Sequence, residues 1–283
     1  MDDFLMRPKV DFAFKEIMTD EKARIGFLSA VLKIRPEDIR ETRLLNTDLR
    51  KEHEEDKLGI LDVRLLMNDD TEADIEIQLT ELQVWADRAL FYLSKMYVDQ
   101  ILSGQDYDVF KKCVSISILD FDLFRRENEF YSCFHIMEDT RHFLYTDKME
   151  FHVIELPKLP AGLREGCSDI ELWARFINAE RKEEFAMLAQ KDPYIESAYE
   201  HLQVISQDKE KRLEYEARQK AIRDYNQMMR EAEERGREAG EKIGEDRISE
   251  LIRILLAEGR HDDLARISES REYRDRLLEH YRL

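Results

Sequence analysis

Proline and glycine are scarce in this chain of 283 residues, which contains 5 Pro and 9 Gly. An all-β sandwich needs many tight turns, and these two residues favour such turns, so the composition argues against that fold. Charged residues make up 38% of the chain and hydrophobic residues 43%, a balance expected when part of a globular protein is long exposed helix. The 14 Phe, 11 Tyr and 2 Trp can build a core, which argues against wholesale disorder.

Cysteine is also scarce. The 3 cysteines are widely spaced and form no CxxC pair, so the sequence gives no support for a zinc finger or a disulfide scaffold. We interpret them as buried apolar side chains. The N-terminal segment MDDFLMRPKVDF lacks the features of a secretion signal, and no apolar run approaches the length of a membrane span. We therefore expect a soluble cytoplasmic protein.

Positive charge is in deficit, since the formal net charge is −18. DNA binding depends largely on neutralisation of phosphates by Lys and Arg, so this charge counts against a nucleic-acid partner. Local basic patches and bound cations can outweigh the total. The acidity lies almost wholly before residue 205, and the tail that follows is nearly balanced.

Strand and helix patterns alternate in the first two thirds of the chain. The segment 11–33 has helical spacing and is interpreted as one broken helix or two short ones, with Asp11 and Thr19 as caps. Further helices are predicted over 81–104, ending at Gly104, and around 169–205. Strands are predicted over 40–49, 57–67, 72–80, 110–124, 129–138 and 149–159. This order predicts a mixed sheet with helices packed on it.

A change of composition near residue 206 predicts two domains, 1–205 and 206–283. The segment 206–258 has charges of alternating sign and no Pro, which indicates a long exposed helix. Gly236, Gly240 and Gly244 recur there at every fourth residue, next to Ala232. Small residues on one helix face suggest that another backbone approaches closely, while a flexible, frayed helix is the alternative.

The segment GILDVRLLMNDDTEADIEIQ (59–78) places acids inside apolar strands. Because side chains alternate faces in a strand, Asp74, Glu76 and Gln78 share one face of the second strand, and Asp62 lies on one face of the first. An even-numbered hairpin loop would separate Asp62 from Glu76. An odd-numbered loop, or one bulge, matches the apolar residues across the pair and brings the two carboxylates together.

Two adjacent carboxylates repel each other unless a proton or a cation lies between them. Oxygen ligands of this kind suit Mg²⁺ or Mn²⁺, which can activate water and stabilise charge on a phosphoryl oxygen. The alternative is a solvated polar face on an edge hairpin, with Arg64 neutralising one acid. Asp and Glu are depleted in strands, and Ile60 and Leu66 flank Asp62, which favours a partly buried site.

An Asp in one strand followed by Glu-x-Gln in the next resembles the PD-(D/E)XK nuclease superfamily. More closely, the chain resembles the Rpn family of recombination-promoting nucleases, which are also described as putative transposases. The resemblance rests on VDFAFKEIM, GILDVRLL, ADIEIQ, RALFYLSKMYVDQILSGQDYDVFKKCVSISILDF, FHVIELPKL, the Trp-containing helix at 173 and YEARQKAIRD, and covers roughly residues 7 to 260. It implies an α/β (α+β) fold of the restriction-endonuclease-like type, a mixed β-sheet core flanked by helices, here with a long helical C-terminal extension.

By this resemblance Asp62 and Glu76 would ligate a divalent metal together with the carbonyl of Ile77. Gln78 would occupy the position that usually holds a catalytic Lys. A neutral amide can only orient water or phosphate, so another cation would have to supply the missing charge. The candidates for supporting or DNA-contacting roles are Asp11, Lys15, Lys57, Arg64 and Arg88, although each cation could be an ordinary surface residue and Asp11 a helix cap.

The leading hypothesis is a DNA endonuclease dependent on Mg²⁺ (or Mn²⁺) and associated with recombination or transposition. Self-association through the C-terminal helix would suit cutting of both strands. The alternative is a catalytically inactive binding or assembly protein that keeps the nuclease fold. A coiled-coil adaptor with an unrelated head is a third possibility, and it predicts Asp62 and Glu76 on opposite faces.

His135 and His152 lie in predicted strands and are interpreted as core histidines.

Overall fold

A computed structural model describes residues 4–39, 41–47, 61–67, 70–82 and 84–283. The chain divides into two compact units, Met1–Gln219 and Lys220–Leu283. No described helix combines the length and the apolar composition that a bilayer span requires.

The N-terminal segment forms two helices, α1 (Asp11–Ile17) and α2 (Glu21–Leu32). The two-helix interpretation of 11–33 is therefore confirmed, but the predicted caps are wrong. Asp11 is the first residue of α1, whose N-cap is Val10, and α2 is capped by Asp20, whose side chain accepts from the Ala23 N–H at 2.8 Å. Asp20 rather than Thr19 directly precedes the helix, and its carboxylate is the stronger acceptor for an N-terminal N–H.

Six strands form one mixed sheet in the described part of the chain. They are β1 (Thr42–Leu44), β2 (Val63–Met67), β3 (Glu72–Gln78), β4 (Cys113–Leu119), β5 (Tyr131–Met137) and β6 (Leu144–Glu155). Their order in the sheet is β1-β2-β3-β4-β6-β5. The central pairs β3–β4 and β4–β6 are parallel and the others are antiparallel. The predicted mixed sheet is confirmed.

Helix α3 (Trp85–Val98) connects the parallel strands β3 and β4, as a crossover requires. It is shorter than the predicted helix 81–104. The Trp85 indole N–H donates to the Ser117 hydroxyl at 3.2 Å, and Tyr92 packs beside Cys113, so α3 covers the sheet face that carries these residues. The opposite face meets α2, where the Tyr131 hydroxyl reaches the Val31 carbonyl. β3 and β4 are thus buried on both faces, which accounts for their nearly continuous burial.

Three further helices complete the first unit: α4 (Asp169–Asn178), α5 (Lys182–Ala189) and α6 (Pro193–Gln207). Short 3₁₀ turns lie at Pro36–Asp38, Tyr107–Val109 and Leu156–Lys158. Edge-to-face aromatic contacts run from Phe14 through Phe27, Trp173 and Phe176 to Phe185, joining α1, α2, α4 and α5.

The C-terminal part is helical. α7 (Lys209–Ala257) is followed by α8 (His261–Glu269) and α9 (Arg271–His280). Leu251 and Leu255 of α7 form a small core with Ile267, Leu277 and Leu278 of the last two helices. The long helical C-terminal extension is confirmed.

Candidate active site

The β2–β3 hairpin has the register that the apolar pattern predicts. Val63 lies opposite Ile75, which extends to Asp62 opposite Glu76. The turn is closed by the Asp70 N–H, which donates to the Met67 carbonyl at 3.0 Å, and Asp70 has a left-handed φ of 63°. Such a residue is typical of an odd-numbered hairpin loop. The predicted odd register is confirmed.

Asp62 and Glu76 are in direct contact. The backbone N–H of Asp62 donates to Glu76 Oε1 at 2.7 Å, and Asp62 Oδ2 accepts from the Ile77 N–H at 3.1 Å. The adaptor hypothesis, which places these acids on opposite faces, is therefore wrong. The N–H and C=O of a strand residue point to the same side, so the Ile77 carbonyl also faces the side on which Asp62 lies.

A third carboxylate, that of Asp74, is buried on the same face. Asp74 is fully buried, and neither of its carboxylate oxygens has a hydrogen-bond partner among the described residues. The sequence places Asp74 on the face of Glu76, but sequence reasoning did not include it among the site residues. The signal was the alternation in ADIEIQ, in which Asp74, Glu76 and Gln78 stand two residues apart.

Burial and mutual repulsion disfavour negative charge in this cluster. Burial, with a second contribution from the Asp62 charge, raises the pKa of Glu76 to about 7. Burial, followed by the charges of Glu76 and Asp62, raises the pKa of Asp74 well above its ordinary value. Glu76 is only 3% exposed, so water screens these interactions little. The cluster is thus a place where a cation would be strongly favoured.

Two predicted cations contact the acids. Lys15 of α1 lies 3.2 Å from Asp62 Oδ1, and Arg88 of α3 lies 3.1 Å from Glu76 Oε2. The Arg88 guanidinium also lies over the rings of Trp85 and Tyr92, at 5.3 and 5.1 Å from their centroids. Stacking of this kind holds a guanidinium in place. Lys15 is 40% exposed and has more room to move.

Gln78 follows Glu76 on the same face of β3. Its amide nitrogen donates to the Thr80 carbonyl at 2.9 Å, so in this structure the amide is engaged with its own chain. It supplies no positive charge at the position where the superfamily usually has Lys.

The remaining predicted residues pair with side chains other than Asp62 and Glu76, or lie outside the described residues. Arg64 forms an ion pair with Glu72 at the other end of β3. Asp11 accepts from the Arg218 guanidinium of α7 at 2.6 Å, a partner that sequence reasoning missed because the two residues are so far apart in the chain. Lys57 lies outside the described residues.

A match to a known protein family identifies the family of this chain. The family model described as PD-(D/E)XK nuclease family transposase matches residues 8–232. The chain belongs to this family. No curated protein and no solved structure gives a significant match.

Membership of the PD-(D/E)XK nuclease family transposases confirms the resemblance drawn from the sequence and explains the sheet. PD-(D/E)XK nucleases generally use divalent metal ions. The residues present here fit that requirement in their chemistry. Asp74 and Glu76 lie close enough to Asp62 for its charge to raise the pKa of both, and the carboxylate oxygens of Asp74 have no hydrogen-bond partner among the described residues. Carboxylate oxygens are the ligands that such ions prefer.

Proposed function

We propose that the protein is a cytoplasmic DNA endonuclease, acting in recombination or transposition, that binds Mg²⁺ or Mn²⁺ through Asp62, Glu76 and the Ile77 carbonyl. The observation that carries the proposal is the direct contact between the Asp62 backbone N–H and the carboxylate of Glu76, where Glu76 is buried and Asp62 is partly buried. Acids that serve only for solubility would lie exposed and apart. Bringing two acids together away from water costs hydration and adds repulsion between their charges.

The bound cation would supply Lewis-acid stabilisation of the phosphate charge and a more acidic water. Asp62 and Glu76 would hold it, and its positive charge would favour the ionised form of Asp74 behind them. Lys15, which now contacts Asp62, would be free to turn toward a phosphate oxygen once the cation offsets the acids, while Arg88 would stay stacked beside Glu76. The Gln78 amide would orient water or phosphate without adding charge.

The positive side chains near the site also favour DNA as the binding partner. The chain is acidic overall, yet Lys15 and Arg88 border the carboxylates, and Arg218 lies next to Asp11. Positive side chains around a bound divalent ion give the local field that a phosphate backbone needs. Binding should therefore weaken steeply as salt concentration rises.

A plasmid cleavage assay tests the proposal. Purified protein with Mg²⁺ or Mn²⁺ should convert supercoiled plasmid to nicked or linear forms. Asp62→Asn and Glu76→Gln should each reduce the rate by more than about 100-fold, because each removes a metal ligand while conserving shape.

Asp139→Asn is the matched control, since Asp139 is exposed in the turn between β5 and β6. Cleavage that persists in Asp62→Asn would come from a contaminant and would remove the mechanism. Cleavage lost equally in Asp139→Asn would show a nonspecific effect of charge.

The second candidate function is a binding or assembly protein that keeps the nuclease fold without catalysis. The observation that favours it is Gln78, whose amide is bound to Thr80 and which cannot replace the charge of a Lys. It predicts that the protein takes up a divalent cation and binds DNA, yet leaves plasmid intact with both Mg²⁺ and Mn²⁺.

A further inference from the structure

We propose that Cys133, His135, Glu150 and His152 form a zinc site on the opposite face of the sheet from the nuclease carboxylates. The chain carries a C-x-H sequence in β5 and an E-x-H sequence in β6. Residues two apart in a strand project to the same face, so each strand presents two zinc-ligand types side by side.

The strand register joins the two pairs into one cluster. Cys133 lies opposite His152, and His135 lies opposite Glu150, in the antiparallel pair β5–β6. The ligand atoms of Cys133, Glu150 and His152 all lie within 4.8 Å of one another. Four residues of three zinc-ligand types thus lie side by side in one patch at the edge of the sheet.

The ligand atoms of Cys133, Glu150 and His152 are close enough to share one zinc ion after small side-chain adjustments. His135 borders these three residues, and its ring, which is 36% exposed, would have to turn so that one nitrogen faces the same ion. Cys133 Sγ lies 3.6 Å from Glu150 Oε1 and 3.9 Å from His135 Nδ1. His152 Nε2 lies 2.9 Å from Glu150 Oε1, and His135 Nε2 lies 3.6 Å from Glu150 Oε2. Zinc bonds of about 2.0–2.3 Å place ligand atoms roughly 3.3–3.8 Å apart.

His152 is oriented for this role by a neighbouring side chain. The Tyr131 hydroxyl donates to the Val31 carbonyl at 3.2 Å, so the oxygen of Tyr131 is left to accept from His152 Nδ1 at 2.8 Å. This network assigns the proton to Nδ1 and leaves Nε2 as the coordinating atom. His152 is 1% exposed, and Nε2 makes no well-aligned hydrogen bond to any described residue.

The patch is separate from the nuclease carboxylates. Asp74 pairs with Ser115, and Ser115 pairs with Phe151, so these three residues share a face. Glu150 and His152 flank Phe151 and therefore project to the other face, toward α2. Metal binding at this patch can therefore be measured independently of metal binding at Asp62 and Glu76.

One cation of the chain already touches the patch, because Lys112 forms an ion pair with Glu150. The Lys112 side chain is 35% exposed and can turn into solvent. It would compete with zinc for the same carboxylate, so removing its charge should strengthen zinc binding. A merely structural role for Glu150 predicts no such effect.

The test is zinc binding to the metal-free full chain, with Co²⁺ as a spectroscopic probe. We expect one zinc at this patch, and a tetrahedral Co²⁺ spectrum that includes a sulfur-to-cobalt charge-transfer band. Cys133→Ser should abolish that band, and His152→Gln should lower zinc affinity more than about tenfold. Tyr131→Phe should lower it about 10–100-fold, and Lys112→Met should raise it.

The controls use the same residue types elsewhere. Cys167→Ser and His280→Gln should keep the full spectrum, as should Asp62→Asn, which separates this result from the nuclease proposal. Cys133 is exposed on an edge strand, so Cys133→Ser should fold, which circular dichroism would verify. A charge-transfer band that survives Cys133→Ser, or zinc affinity unchanged in both Cys133→Ser and His152→Gln, would overturn the assignment.

Discussion

Glu76 and Asp74 lie on β3 between β2 and β4, and both have lost the water that would stabilise their negative charge. The Arg88 guanidinium forms an ion pair with Glu76 and also acts on Asp74, but these attractions are smaller than the effects of burial and of the neighbouring acids. The site is therefore strained electrostatically when no cation is bound, and single residues decide how that strain depends on pH.

This strain predicts a pH-dependent stability for the metal-free protein. Because the pKa of Glu76 is raised from its ordinary value of 4.5 to about 7, the folded state holds a proton that the unfolded state releases between those values. The free energy of unfolding should therefore decrease as pH rises through that interval, by at most about 3 kcal/mol for this group. Urea unfolding with a chelator measures it.

Glu76→Gln should flatten that part of the pH profile, since the amide does not titrate. Asp139→Asn should leave the profile unchanged. A wild-type stability that rises with pH across this interval would contradict a raised pKa for the buried Glu76.

Strand alternation and the apolar pattern were enough to bring Asp62 and Glu76 together, because both are local properties of one hairpin. The burial of Asp74 depends on α3 covering the face of the sheet, which hairpin alternation does not show. For the same reason the cysteines were misjudged: Cys113 is buried, but Cys133 is exposed at a sheet edge that only the strand order defines.

At the scale of elements, short-range features were the most predictable. The two N-terminal helices and the β2–β3 hairpin follow from periodicity and turn residues. The position of β6 between β4 and β5 does not, because strand pairing over long sequence separations depends on the packing of the whole sheet. The predicted strands 129–138 and 149–159 gave no indication that β6 begins at Leu144.

Helix α7 offers a test of self-association, which would allow two active sites to cut both strands. A Cβ built at Gly236, Gly240 or Gly244 meets no described atom within 4 Å, so this face is open within one chain. If a second copy packs there through close backbone contact, Gly240→Leu should shift a dimer to monomer in sedimentation equilibrium.

Glu238→Leu is the matched control, because Glu238 is also exposed on α7 and receives the same side chain. Leu is a better helix former than Gly, so loss of the dimer would not reflect loss of the helix. An unchanged mass for Gly240→Leu would remove the proposed role of this face.

At the scale of the whole molecule, the composition change at 206 falls near the start of α7. The boundary between the two compact units lies further along the chain, between Gln219 and Lys220. The first turns of α7 belong to the first unit because the Tyr215 hydroxyl accepts from the Arg7 N–H and Arg218 binds Asp11. Amino-acid composition indicates which segments are exposed to solvent, but it does not show these contacts between residues that are far apart in the sequence. The net charge of −18 likewise says little about the local field beside Lys15 and Arg88.

The central claim is that the acids of the β2–β3 hairpin hold a divalent cation. Titration of the metal-free full chain with Mn²⁺, followed by the electron paramagnetic resonance of free Mn²⁺, measures this directly. We expect Mn²⁺ uptake by the wild type, affinity at least about tenfold weaker in Asp62→Asn and Glu76→Gln, and no change in Cys133→Ser. No uptake by the wild type, or equal affinity in all four proteins, would contradict the account.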